Sequence, residues 1–533
     1  MEDQAHGLDL RWDAVVSQPA PPTHAGSDDA APGAAAASQT EPDALLQLPA
    51  AHAASVTGAV LAAVVGRLEV ADVEHFFVDR ARSGSRVAVP KPALAGAEVT
   101  LRQLGEEAAL HVRVDRGKRS WTGLLRDLPE GAFEGPLAYV LVYAEVLEPA
   151  SGLRMGTSQG CRIEPWTEDE HGGLQAVDYN PRTQEVTAHD RAHPTLVDVG
   201  DRYVTTVPPF DLPDVFEVER PVDAVILWVD GDDPDWRAAR DRRRRDLGLP
   251  PHDPGTAERL YADHGELRYL LRSIERYAPW LRHLYLVTAG QQPHWLRTDH
   301  PWLTLVDHRD IIEDSALPTF SPRPITARMH RIEGLSEHFL YFNDDMVLAR
   351  SISPRTFFTS NGLARFFLSD TTVPRHPSDE PHLGARQVMQ ELIRRQYRVG
   401  VSRTFRHAPY AMTRSTLAVM ERHFGTELDA TVHRPFRTTQ DIIPEWLHHY
   451  VAYLEGAALP GKISYGYFPI GLRRGLEGLS ELLTVRNRDC FCLNDFGDEV
   501  SVAEAEAHLA DVLPRLLPGA GSFEADGGGG EGR

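Results

Sequence analysis

The chain has 533 residues, enough to bury two or three separate cores, and its 42% apolar and 25% charged composition is that of a globular protein. Aspartate and glutamate outnumber lysine and arginine by 77 to 55, a net charge of −22, so the whole-protein field repels nucleic acid and anionic membranes. Three cysteines, Cys161, Cys490 and Cys492, exclude a disulfide framework, and Cys490-Phe491-Cys492 lacks the second pair or histidines of a zinc site; both read as small buried residues on one strand face.

Residues 1–50, rich in Ala, Pro, Asp, Ser and Thr without periodicity, read as a disordered leader. No basic segment followed by an apolar core opens the sequence, and no run approaches the ~18 apolar residues of a membrane span, so the expected setting is cytoplasmic and reducing. Residues 51–212 carry short alternating runs such as Arg86–Val89, Val99–Arg102, Leu110–Val114 and Tyr139–Val146, separated by Gly, Pro and Asp. That pattern predicts a β-rich domain of antiparallel hairpins, a sandwich or barrel. It holds no catalytic constellation, which leaves binding, positioning, oligomerisation or a plain scaffold.

Residues 213–518 read differently. Asp223–Val229 is an apolar first strand that runs into Asp230-Gly231-Asp232-Asp233-Pro234, an acidic turn placed to meet the ribose, base or metal of a nucleotide. The run Arg242–Arg245 reads as a solvated helix face. Leu267, Leu270, Leu271, Ile274 and Ala278 share one helical face, and Asp263 and Glu266 just before them have capping-box spacing. Strands are expected at Leu284–Thr288 and Leu303–Val306, then a helix over Ile325–Ile332. The aromatic strand Phe339–Phe342 stops at Asn343-Asp344-Asp345. The repeated strand, turn, helix order predicts a mostly parallel α/β sheet. Adjacent carboxylates at the end of a buried strand are costly without a cation, which makes Asp344 and Asp345 candidate metal ligands.

Farther along, Gly384–Arg398 has a core face of Val388, Leu392 and Ile393 and carries Arg386. Pro409 forces extended backbone beside His407. Phe436-Arg437 leads to Asp441, read as a first-turn acid of a helix around Trp446–Leu454, and Asp495 ends the apolar run Phe491–Leu493. The Gly-rich residues 519–533 read as a disordered tail.

From Val222 to about Gly497 these motifs resemble the Stealth family of hexose-1-phosphate transferases, which includes bacterial capsule polymerases. Asp223–Asp232 resembles the first conserved region; Gly265-Glu266-Leu267-Arg268-Tyr269 through His330–Leu335 to Asn343-Asp344-Asp345, the second. His407-Ala408-Pro409-Tyr410 with Phe436-Arg437 and Asp441 resembles the third, and Cys492-Leu493-Asn494-Asp495 the fourth. The resemblance implies a Rossmann-like, GT-A-like nucleotide-sugar domain with helical insertions. It implies transfer of a hexose-1-phosphate, GlcNAc-1-phosphate being the expected group, from a UDP-sugar to a glycan hydroxyl with release of UMP, in capsule or exopolysaccharide synthesis.

The resemblance also implies Mg²⁺ or Mn²⁺ on Asp344, Asp345 and Asp495. Arg437 and Arg386 would meet phosphate oxygens, and His407 would take the acceptor's proton or orient the phosphate, a role open to an aspartate as well. Asp230, Gly231, Asp232, Glu266, Arg268, Asn343 and Asp441 complete the expected substrate-binding set. One departure stands out: where the family has a Ser-His-Ala-Ile-Glu type of segment, this chain has Pro322-Arg323-Pro324-Ile325-Thr326, which removes a carboxylate at Thr326 and adds a charge at Arg323. The alternatives are a glycosyltransferase releasing UDP and a non-catalytic nucleotide-sugar or glycan binder; donor, acceptor and oligomeric state are open.

Overall fold

The computed structural model describes residues 45–78, 85–199, 202–250, 254, 257–373, 376 and 378–525. They fall into two compact units that divide between Asp214 and Val215.

In the first unit, an open eight-stranded mixed sheet is built around Cys161–Glu168, which pairs parallel with Ser85–Pro90 and antiparallel with Tyr139–Tyr143 and Leu174–Ala176. Two helices, Ala53–Val70 and Leu94–Glu107, share a core with it through Val60, Val64, Leu68, Ala97, Leu101 and Leu104. The unit is therefore mixed α and β rather than the expected β-rich sandwich or barrel. Val99–Arg102 alternates over four residues and so mimics a strand, but Leu94, Ala97, Leu101 and Leu104 repeat at three and four, and that longer period wins. Ala53–Val70 is also long and apolar enough to cross a membrane by length and composition, against the expectation that no run approaches that length.

Most of the expected leader, residues 1–44, lies outside the described residues. Its last part is ordered: Leu46–Gln47 pairs parallel with Val146–Leu147, and Leu48 and Ala51 are buried.

The second unit opens with strand β1 (Val222–Leu227), helix α1 (Pro234–Asp246) and helix α2 (Glu266–Tyr277). Then come β2 (Leu284–Thr288), β3 (Leu303–Asp307), a short helix α3 (Pro322–Arg328) and β4 (His338–Asn343). β5 (Met346–Leu348), α4 (Pro381–Tyr397), β6 (Tyr410–Thr413), α5 (Pro444–Leu454), β7 (Tyr465–Pro469) and β8 (Cys490–Asn494) follow. β1, β2 and β4 are apolar runs covered on both faces, as a parallel sheet requires. The sheet order is β3-β2-β1-β4-β6, parallel except for β6.

That order decides where a ligand goes. From β1 the chain steps outward to β2 and β3, then returns to lay β4 on the other side of β1. Connections on either side of the β1–β4 gap thus run in opposite directions, and the carboxyl ends of these strands flank a crevice. β1 ends at Leu227, opposite Asn343 of β4.

The expected tail is partly folded as well. Phe523 is buried and the Glu524 carboxylate takes both Arg272 Nε (2.6 Å) and Nη2 (2.8 Å); residues 526–533 lie outside the described set. At the start of β1, the fully buried Asp223 accepts Arg282 Nε (2.8 Å), Arg282 Nη2 (2.6 Å) and the Ser336 amide (2.6 Å), tying β1 to the segments before β2 and β4. Removing that carboxylate strands three N–H donors, and Arg282 reaches solvent on one side, so Asp223→Ala is expected to cost about 2–3 kcal/mol. Urea denaturation followed by tryptophan fluorescence measures it; an unchanged midpoint would refute the clamp.

Candidate active site

The acidic side of the crevice is made by the ends of β1 and β4 and the start of α2. Asp344 and Asp345 form the turn between β4 and β5. β5 pairs antiparallel with β8, setting Met346 opposite Cys492. This places the Cys492 thiol as donor to Asp345 Oδ2 (3.1 Å) and the Leu493 amide on the Asp345 carbonyl (2.9 Å). Asp345 Oδ1 is shut off from solvent with no hydrogen-bond partner. Desolvation lifts the Asp345 carboxyl to about 6. Asp344 is pushed well above the carboxylate range by desolvation, then by the charges of Asp345, Glu266 and Asp263. Three carboxylates are thus close enough to destabilise a fourth.

Around them the sequence supplies structural ties. Asp263 accepts Trp228 Nε1 (2.9 Å) from the end of β1 and the Gly265 amide (2.8 Å). The expected capping box does not form: the N-cap of α2 is Gly265 at φ +82°, a conformation suited to glycine, and Glu266 accepts the amide of His264 (2.7 Å) instead. Glu266 is buried, and desolvation lifts its carboxyl to about 7. Asp495, expected beside Asp344 and Asp345 on a metal, points to His264 Nε2 (3.8 Å), and this contact leads the causes that raise the His264 imidazole to about 9. Among the described residues no three His, Cys, Asp or Glu side chains are grouped to hold a metal. Two carboxylates with an unpartnered inner oxygen still suit Mg²⁺, which binds through one or two carboxylates plus substrate phosphates.

The opposite side is cationic. Arg386 on α4 lies 4.6 Å over the Trp446 ring and bonds His382; desolvation lowers its guanidinium to about 10. Arg437 is depressed by desolvation and by the Arg323 charge. The Nε atoms of Arg386 and Arg437 are both cut off from solvent without a partner. Desolvation followed by the charges of Arg386, Arg323, His407 and Arg437 drives His382 well below its ordinary range, which places these groups around one point. His407 is held at about 4 by desolvation and Arg386, and its ring stands 5.5 Å from Tyr467. Gly384 lets α4 approach this loop: a Cβ there would lie 2.5 Å from Thr439 Cβ.

Between the two sides stand tyrosines. Tyr341 on β4 and Tyr410 on β6 are register partners and stack at 5.7 Å, and the Tyr341 hydroxyl donates to Asn343 Oδ1. Tyr341 is raised by desolvation and then by Glu445, Tyr410, Asp344 and Asp345, and Tyr467 by desolvation, Cys492 and Asp345, with Arg386 opposing. Acidic and cationic sides therefore share one neighbourhood. Asp344, Asp345, Arg437, Arg386, His407 and Glu445 are only partly exposed, as walls of a crevice are.

Other expected residues have tasks elsewhere. Asp441 is not in a first turn, since α5 begins at Pro444. It is buried and takes Arg323 Nη1 (2.7 Å), Arg434 Nη1 (3.3 Å) and the Thr438 amide and hydroxyl (both 2.8 Å), so protein donors fill it and Arg323, whose charge still reaches Arg437 and His382, is paired. Arg268 is turned to Glu524 (3.6 Å) and the Trp295 ring (4.9 Å). Asp232 pairs with Arg237 on α1. Asp230 Oδ1 caps the Asp232 amide (2.9 Å), while Gly231 leaves no room for a side chain, a Cβ there meeting the Tyr261 carbonyl oxygen at 2.1 Å. Glu445, Tyr341, Tyr410 and His382 belong to the crevice, and only the aromatic run and the first-turn position of Glu445 hint at them in sequence.

Models for the first, second and third conserved regions of Stealth proteins match residues 220–248, 260–366 and 406–453. The chain is 38% identical over 452 residues to the exopolysaccharide phosphotransferase SCO6023 of Streptomyces coelicolor, covering 81% of this chain and 71% of that protein. It is 37% identical over 395 residues to SCO2592 of the same organism, also named an exopolysaccharide phosphotransferase, covering 72% of this chain but only 41% of that longer protein. A galactosyltransferase structure, LgtC with donor and acceptor sugar analogues, aligns at a TM-score of 0.27 and 9% identity over 55% of this chain and 95% of that one.

The His407 environment has a consequence for stability. Its folded value of about 4 lies below the 6.5 of a free imidazole, so the unfolded chain binds a proton that the folded one refuses. Stability contributed at neutral pH is therefore lost as pH falls from 6.5 toward 4. A His407→Gln variant, lacking that term, is expected to lose less thermal stability than wild type between pH 7 and 4.5; parallel melting curves would contradict the assignment.

Proposed function

The chain belongs to the Stealth family and is a phosphotransferase, and from that premise we propose that it moves a hexose-1-phosphate from a UDP-sugar to a glycan hydroxyl and releases UMP. The observation that carries this reading is the closeness of two sets beside the ends of β1 and β4: the Asp344–Asp345 pair with its unpartnered Asp345 Oδ1, and Arg386 and Arg437, each with an unpartnered inner Nε–H donor. A pyrophosphate bound together with a divalent cation would satisfy both.

In the proposed reaction the acceptor oxygen forms a bond to the sugar-bearing phosphorus. The bond from that phosphorus to the bridging oxygen breaks, and that oxygen leaves with UMP. Little covalent chemistry falls to the protein, whose work is positioning and charge neutralisation. Asp344 and Asp345 would hold Mg²⁺ or Mn²⁺, which when bound offsets the negative charge of the pyrophosphate. Arg437 and Arg386 bind phosphate oxygens through planar, always-charged donors. The acidic turn after β1, around Asp230 and Gly231, receives the nucleoside at the end of the first strand.

His407 is the group for the acceptor proton or for a phosphate oxygen. With its imidazole held at about 4 it is neutral at pH 7, so one ring nitrogen is free to accept a hydrogen bond from the attacking hydroxyl. The names of the relatives, exopolysaccharide phosphotransferases, support a surface or secreted polymer as the product's class. Free, buried Cys161, Cys490 and Cys492 suit a reducing compartment, and we place the chain in the cytoplasm.

Two variants test the reading. Asp345→Asn keeps the shape of the turn and removes charge, and is expected to lower metal-dependent UMP release at least a hundredfold while the thermal midpoint stays within a few degrees. Arg437→Lys is expected to lose at least tenfold in kcat/KM because an ammonium cannot copy the planar contact. Wild-type turnover in Asp345→Asn would refute the metal site; unchanged kcat/KM in Arg437→Lys would remove the phosphate contact.

A further inference from the structure

Glu445 is the second residue of α5, behind Pro444, and looks like an ordinary first-turn acid that complements the helix dipole. Its surroundings are not those of a surface cap. Its carboxyl is raised by desolvation, and it lies close enough to Tyr341 and Tyr410 to raise both phenols. Its own backbone N–H and the Thr326 hydroxyl, whose hydrogen bond goes to the Arg323 carbonyl oxygen (3.2 Å), lie close enough to oppose that rise. The Glu445 Oε2 atom is sealed from solvent and has no hydrogen-bond partner.

The nearest cations do not take it. Arg323 is committed, with Nη1 on the Thr438 carbonyl (2.8 Å) and on Asp441, and Nη2 on the Pro381 carbonyl (3.2 Å). Arg437 feels the charge of Glu445, yet its own Nε is equally sealed and unpartnered. An anion and a cation thus lie close enough to feel each other's charge, and each keeps a polar atom shut off from solvent without a hydrogen-bond partner. Leaving such atoms unmade is expensive, so the gap suits a molecule that accepts from Arg437 and donates to Glu445. A phosphate oxygen does the first and a sugar hydroxyl the second.

We propose that Glu445 is a substrate-contacting residue whose Oε2 accepts a hydrogen bond from a sugar hydroxyl, with Thr326 orienting its carboxylate; this rests on the sugar-phosphate transfer proposed above. The hydroxyl belongs either to the donor sugar or to the acceptor glycan, and the carboxylate chemistry is the same for both. Thr326, where the sequence lacks a carboxylate, then still has one at hand, brought in from α5. A hydrogen bond to a charged group of this kind corresponds to about a ten- to hundredfold effect on affinity or rate.

The test uses the full chain with Mg²⁺, UDP-N-acetylglucosamine and UMP as probes, in wild type, Glu445→Gln and Thr326→Val. Calorimetry reads affinity for each probe; UMP release is followed with and without a crude glycan acceptor. If the hydroxyl is the donor's, Glu445→Gln weakens UDP-N-acetylglucosamine at least tenfold and leaves UMP unchanged. If it is the acceptor's, donor affinity and acceptor-free hydrolysis stay constant while kcat/KM for transfer falls at least tenfold. In either case Thr326→Val moves the same quantity by a smaller factor.

Values within twofold of wild type on every readout overturn the proposal. So does a parallel loss of UMP and UDP-sugar affinity with a lowered thermal midpoint, which is what a purely structural glutamate would give. Failure of the wild type to bind or turn over any of a panel of UDP-sugars would instead reject the transfer reaction itself, and the Glu445 role with it.

Discussion

Two adjacent carboxylates at the end of an apolar strand are the constraint on which the second unit turns. Residues 338–342 are buried without a break, and the chain leaves that strand through Asp344 and Asp345. Desolvation and the charges of Asp263 and Glu266 already push Asp344 toward its neutral form, so an ionised pair needs positive charge from outside the chain's own acids. The fold holds this arrangement in place rather than relieving it. β8 clamps Asp345 through Cys492 and Leu493, and Asp263 is tied to the end of β1 through Trp228. The reversal of strand order between β1 and β4 opens the space that such charge would enter.

The cationic side answers the same problem from the other direction. Arg386 and Arg437 are desolvated arginines with inner donors unpaired; desolvation, then the Arg386 charge, keeps His407 neutral, and desolvation followed by the charges of Arg386, Arg323, His407 and Arg437 does so for His382. Phosphate chemistry uses such a set well: fixed charge for the equatorial oxygens, and an uncharged imidazole that can accept a hydrogen bond from a hydroxyl. Asp441 and Arg323, by contrast, pair with each other and fasten the loop that presents Arg437. Charged residues of one short segment thus divide between holding the loop and facing the crevice.

Much of the second unit was legible because its signals are local. Apolar runs such as Leu284–Thr288 and Phe339–Phe342 fill their strands, and the face of Leu267, Leu270, Leu271 and Ile274 is the buried face of α2. Four-residue alternation misled at Val99–Arg102, where a longer helical period prevails. The glycine-rich stretch from 519 hid Phe523 and Glu524, whose partners lie over two hundred residues away. Long-range pairing also explains what the site reading missed. Nothing near Arg268 announces Glu524, nothing near Asp495 announces His264, and Glu445 resembles any helix-start acid until Thr326 and Arg437 stand beside it.

The central claim concerns which bond breaks. UDP-N-acetylglucosamine labelled at the phosphorus next to the sugar, incubated with the protein, Mg²⁺ and a glycan acceptor, reports it directly. The account requires the label to pass into the glycan while unlabelled UMP accumulates. Label remaining in released UDP, with unlabelled sugar on the glycan, would place the reaction at the anomeric carbon and contradict it.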